Sequence, residues 1–226
     1  INFYNEAEEA SLKALEITEN KYDKISIYLR LSNLYKTQSA FNKAEKNLIK
    51  ALEIAEDNIG LTNNQLNQIL RKLGDLYKYE GLYKKAEEYY LKSLTITKKT
   101  IGENTDEASL LYAALGNLYS AKELFPNLTN KEKKNLLDKS EENYLKALQI
   151  AKKVYGENNL QIRDLYATIG TFYIQKGWPE KAEDLFEKSL KITENIFGEN
   201  HPYFAEEKGN MGFFYLQQGK YKNAES

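Results

Sequence analysis

The stretch Tyr166-Ala167-Thr168-Ile169-Gly170-Thr171-Phe172-Tyr173, followed by Gly177-Trp178-Pro179-Glu180-Lys181-Ala182-Glu183, decides the architecture. Ile169, Phe172 and Tyr173 have the i, i+3, i+4 spacing of one helical face. Gly177 sits where a helix can end in a left-handed residue, and Pro179 suits the first turn of the next helix. Ala182, Phe186, Ser189, Leu190 and Thr193 then continue a second helical stripe. The stretch therefore reads as two helices, A and B, joined by a short turn.

The same pattern returns along the chain. The Leu/Phe-Tyr pair falls at 34–35, 76–77, 118–119, 172–173 and 214–215. The small residue of helix B falls at Ala7, Ala44, Ala86, Ser140, Ala182 and Ala224. Three residues before each tyrosine stands Ser32, Gly74, Gly116, Gly170 or Gly212. Most steps are about 42 residues, a period that marks a stacked repeat array. A glycine in mid-helix costs about 1 kcal/mol against alanine. Its recurrence implies close helix approach, with the helix B alanines expected opposite. No strand pattern interrupts the series. Gly81, Gly177 and Gly219 close A helices, and Gly60, Gly102, Gly156 and Gly198 close B helices.

This pattern resembles the tetratricopeptide repeat. The long period and the Gly-Glu-Asn-His-Pro linker at 198–202 more specifically resemble the kinesin-light-chain subtype. The resemblance implies an all-α fold, a right-handed superhelix of antiparallel helix pairs. The expected organisation is a single array over 1–226. It comprises a partial repeat (1–23, helix B), repeats at 24–60, 61–102, 103–156 and 157–198, and a partial repeat at 199–226. Departures are visible. Ser39-Ala40 replaces glycine in the first A–B turn, Ser32 replaces the mid-helix glycine, and the junction near Lys21-Tyr22-Asp23 is short. Residue 1 is Ile and neither end has a polar capping helix. The sequence thus reads as an excerpt of a longer array, or as one that associates end to end.

An insertion occupies 126–139. Helix A of that repeat is expected to reach Phe125, where Pro126 stops it. Thr129 and Glu132 form a capping-box pattern for a B helix over about Asn130 to Tyr155.

Composition narrows function. The chain has 226 residues, with 32 Lys plus Arg against 33 Asp plus Glu, a net charge of −1. That balance argues against a general nucleic-acid binder. There is no cysteine and one histidine, which removes disulfides, thiolate zinc sites and multi-histidine metal sites. No run of about 18 apolar residues suggests a membrane span, and no signal peptide opens the chain. A cytoplasmic protein is expected. Without a phosphate loop, nucleophile motif or metal spacing, no catalytic residue, cofactor or metal is expected and the chain reads as no enzyme. His201 reads as a helix cap. Glu8-Glu9, Glu87-Glu88 and Glu141-Glu142 read as a solvated helix face. Trp178 is expected over the A–B turn. Most of the 18 tyrosines occupy repeated core positions.

What remains is a surface. In the resembled family, helix A lines a concave groove that holds peptides. The groove-facing positions here are Asn33, Lys36, Arg71, Asp75, Lys78, Asn117, Thr171, Ile174 and Phe213. Leu29 is expected as a further exposed position, and Ala113, Ala167 and Gly209 as small floors. The Leu-Asn-Asn-Leu asparagines of kinesin light chain are matched only by Asn210, so its cargo specificity does not carry over. The expected function is a protein-interaction scaffold that holds a peptide or helix of a partner. The alternative is the regulatory arm of a larger bacterial signalling enzyme.

Overall fold

The computed structural model describes residues 2–57, 63–220 and 224. Among these residues there are ten helices and no strand. They are α1 (Asn2–Ile17), α2 (Lys21–Thr37), α3 (Phe41–Glu56), α4 (Asn63–Tyr79) and α5 (Tyr83–Thr100), then α6 (Asp106–Glu123), α7 (Asn130–Tyr155), α8 (Leu160–Gln175), α9 (Pro179–Phe197) and α10 (Pro202–Gln217). The chain divides into two compact units, Ile1–Glu103 and Asn104–Ser226. Within each unit every helix packs on its sequence neighbour. The expected closing residue Gly60, and the Tyr221–Glu225 copy apart from Ala224, lie outside the described residues.

The even-numbered helices are the A helices, and most have apolar residues on several sides. In α2, Ile25, Ile27, Leu29 and Leu31 are all buried. Leu29 is therefore core rather than an exposed groove position, a correction to its expected place. It follows from α2 being covered by both α1 and α3. The B helices α3, α5 and α9 carry one apolar stripe, such as Ala44, Leu48, Ala51, Leu52 and Ala55 on α3.

Turn chemistry closes the pairs. Gly81, Gly177 and Gly219 have φ between 69° and 76°, where glycine pays no Cβ penalty. Ser39 holds the same conformation at φ 57° without being glycine. α2 begins at Lys21 with Asn20 as its cap, so the first A helix takes in the short junction expected before residue 24. α6 ends at Glu123, not Phe125, with Leu124 as its C-cap. The Thr129–Glu132 capping box is formed and α7 runs Asn130–Tyr155.

Gly74, Gly116 and Gly170 meet rings, whereas Gly212 meets the backbone carbonyl of its expected partner Ala224, 3.4 Å from an added Cβ. A Cβ on Gly74 would stand 2.5 Å from Tyr90, one on Gly116 2.7 Å from Tyr144, and one on Gly170 2.7 Å from Phe186. The residue that needs the room is the aromatic four positions after the small residue. In the first full pair that position is Leu48, and Ser32 replaces the glycine. A branched aliphatic side chain leaves space for a Cβ where a ring does not.

The acid pairs are not simply solvated, which corrects their expected role. Glu8 accepts the Tyr35 hydroxyl at 2.6 Å, Glu45 that of Tyr77, and Glu141 that of Tyr173 at 2.9 Å. Each is a hydrogen bond from an A helix to the preceding B helix. A lysine from the following B helix covers each ring: Lys43 over Tyr35, Lys85 over Tyr77 and Lys181 over Tyr173, at 4.7–4.9 Å. Glu8, Glu45 and Glu141 are thus junction acceptors. The side chain is about a quarter exposed at Glu8 and Glu141.

Candidate peptide-binding face

In the first unit, the candidate side chains lie on α2 and α4. Asn33 is exposed and accepts from the Lys72 ammonium at 3.2 Å. Lys36 is exposed, with its ammonium 5.9 Å from the Tyr79 ring. Arg71 and Lys78 are half-buried. Asp75 accepts the Tyr90 hydroxyl at 2.6 Å, so it anchors the B helix of its own pair. Burial, then the charges of Arg71 and Lys36, hold the Lys72 pKa below the ordinary lysine value, against the pull of Asp75. Counting from the core glycine does not reach Lys72, which follows Arg71 by one residue. It also passes over Tyr79, which is 65% exposed at the end of α4.

In the second unit, Thr171, Ile174 and Phe213 line one open cleft of about 420 Å³ between α8 and α10. Its walls include Ala167, Phe186, Met211 and Phe214. Phe213 is 63% exposed, an unusual position for a phenylalanine beside an apolar cavity. A second cleft, between α6 and α8, is lined by Asn117, Ser120, Leu124 and Thr171 among others. Asn117 accepts the Tyr144 hydroxyl at 2.8 Å and so, like Asp75, supports its own helix pair. Where the ring is Phe186, with no hydroxyl, the equivalent residue is Thr171, which donates to the Ala167 carbonyl one turn back. Glu207 and Asn210 also line the α8/α10 cleft. Position counting from the core glycine did not reach Glu207.

His201 accepts the Tyr203 N–H through Nδ1 at 3.2 Å and stacks on Phe197 at 4.6 Å, as a cap of α10. Trp178 packs edge-on to Phe172 and beside Tyr173 at the A–B turn. Among the described residues, no group of His, Cys, Asp and Glu could hold a metal ion, and no helix is long and apolar enough to cross a membrane.

The tetratricopeptide repeat pattern matches residues 65–126 and 131–195, and a second version of it matches 25–58. The chain belongs to the tetratricopeptide repeat family. Comparison with curated protein sequences gave no match. Among solved structures, the repeats resemble BtubC (BKLC) from P. vanneervenii, with a TM-score of 0.77 and 21% identity over 98% of this chain and 85% of that one. They also resemble kinesin-light-chain TPR-like repeats of Podosopora anserina, with a TM-score of 0.70 and 15% identity over 92% of both chains. A third likeness is to a signal-transduction ATPase with a tetratricopeptide repeat sensor from Pyrococcus horikoshii. Its TM-score is 0.66 at 20% identity, over 95% of this chain and 29% of that one. These likenesses place the array in the kinesin-light-chain-like fold type. Tetratricopeptide repeats generally serve as protein-interaction scaffolds, the general role of this array.

Proposed function

We infer that this tetratricopeptide array holds an extended segment of a partner protein on its A-helix faces. The convergence of Thr171, Ile174 and Phe213 on one open apolar cleft carries this reading. Its volume suits one or two large side chains. The α2 and α4 faces contribute a separate surface in which Lys36, Arg71, Lys72 and Lys78 are the cations. Asp75 and Asn117 contribute less, because tyrosine hydroxyls of their own pairs engage them. The predicted localisation is cytoplasmic.

The test is affinity capture from the source cell. The baits are the wild type, Ile174→Glu with Phe213→Asp, and Lys36→Glu with Lys78→Glu. Each bait is first shown to keep wild-type helicity. A partner lost with the α8/α10 variant supports the cleft. A partner lost with the α2/α4 variant alone supports the cationic face. A partner kept by both variants overturns groove binding and directs attention to the 126–139 insertion.

The second reading is a regulatory arm of a larger signalling enzyme. The likeness to a part, 29%, of an ATPase chain that has a tetratricopeptide repeat sensor supports it. Sequencing the complete natural polypeptide tests this reading, and a product with no catalytic domain overturns it. End-to-end self-association remains a separate expectation, tested by concentration-dependent mass.

A further inference from the structure

We propose that the α8/α10 cleft selects a partner segment bearing an apolar side chain and, two residues away, a lysine or arginine. This rests on the groove reading and adds the chemistry of the partner.

The cleft is mainly apolar, with Thr171, Ser189, Asn210 and Gln217 as its neutral polar residues and Glu207 as the one charged residue in its lining. The Thr193 hydroxyl donates to Glu207 Oε2 at 2.8 Å and fixes the side chain. Glu207 Oε1 stands 3.7 Å from Arg163 Nε, too long for a hydrogen bond. That guanidinium is shared between this long ion pair with Glu207 and a shorter one with Asp164, at 2.7 Å. The carboxylate is about a quarter exposed, so it is both partly desolvated and reachable. An entering cation gains more there than at a fully solvated acid. Lys176, on the α8 side, is tied to Glu123 at 2.6 Å and nearly buried.

Spacing sets the register. Glu207 and Phe213 are six residues apart on α10, about 9 Å along the axis. Alternate side chains of an extended segment point the same way, about 7 Å apart. A lysine stem spans the remainder.

The cleft contains the single methionine of the sequence, Met211, which serves as its reporter. The protein is labelled with methyl-13C methionine, and the Met211 signal is identified by Met211→Leu. It is titrated with Ser-Phe-Ser-Lys-Ser and Ser-Lys-Ser-Phe-Ser, and with versions carrying glutamate for lysine. The expected result is a Met211 shift that saturates at about tenfold lower concentration for one lysine peptide than for its glutamate version. Glu207→Gln, which retains an acceptor for Thr193, should abolish that preference while the peptide still binds.

Equal saturation by lysine and glutamate versions overturns the charge selection and leaves the groove reading standing. A Met211 signal that no peptide moves overturns the proposal, and partner capture with the Phe213→Asp bait then decides the groove reading separately. A Met211 shift that follows protein concentration without peptide places a second copy in the cleft and also overturns it.

Discussion

The hydroxyl of Tyr35 donates to Glu8 at 2.6 Å, and the two residues belong to consecutive helices of different repeats. The pair recurs as Tyr77 with Glu45 and Tyr173 with Glu141. It turns an otherwise apolar repeat junction into one with a directional bond, so neighbouring repeats lock in one register. A hydrogen bond to a charged acceptor contributes about 1.5–3 kcal/mol when partly buried.

Tyr173→Phe keeps the ring under Lys181 and removes only the hydroxyl. It should lower stability by about 1–2 kcal/mol in urea unfolding. Glu141→Gln should cost less. In a double-mutant cycle the loss of the double variant should fall short of the sum of the two single losses. Strict additivity would mean that the bond is not a stabilising one.

Gly116→Ala should destabilise by about 1–3 kcal/mol although alanine is the better helix former, because its Cβ would stand 2.7 Å from the Tyr144 ring. Adding Tyr144→Leu should recover part of the loss, as the Ser32 and Leu48 pair already shows the smaller combination. Gly209→Ala should instead stabilise by up to about 1 kcal/mol, since nothing lies within 4 Å of its added Cβ. Thermal melts of the three variants check the contrast.

Ser39→Gly should raise stability by about 0.5–1 kcal/mol. Ser39 is the one non-glycine residue at positive φ among those described, at the position Gly81 and Gly177 fill elsewhere. No change in melting temperature would count against a strain cost at this turn.

Alkaline pH should loosen the array. Burial, and then the Glu8 carboxylate, push the Tyr35 pKa up to about 12. Burial and the Glu183 and Glu187 carboxylates do the same for Tyr215, and a hydrogen bond to Asp106 followed by burial does so for Tyr155. Tyr77, Tyr90, Tyr144 and Tyr173 are raised as well, with burial the leading cause. Folded pKa values above the ordinary 10 mean that the folded state keeps its protons longer. The stability these groups contribute is complete below pH 10 and should fall between pH 10 and 12. Tyrosinate absorbance should show late-titrating tyrosines, with helicity lost alongside. Eighteen tyrosines that all titrate near pH 10 with helicity intact would overturn this.

Local signals carried most of the fold. Helix periodicity, turn glycines and the Thr129–Glu132 box are encoded within a few residues, so their structural consequences could be read directly. The candidate face was legible only in part. Counting from the glycine located Thr171, Ile174 and Phe213 on one helix side, and it located Asp75 and Asn117 equally well. It could not tell which of them a tyrosine hydroxyl from another helix would engage.

The sequence by itself determined the helices, their pairing and their repeat, because each depends on contacts within one pair of neighbours. Tertiary structure alone decided that Leu29 is core, that Glu8 and Glu141 clasp tyrosines, and that Glu207 lines a mainly apolar cleft while bonded to Thr193. Those outcomes depend on side chains 14 to 32 residues apart meeting in space. No local pattern encodes such a distance, and helix packing sets it.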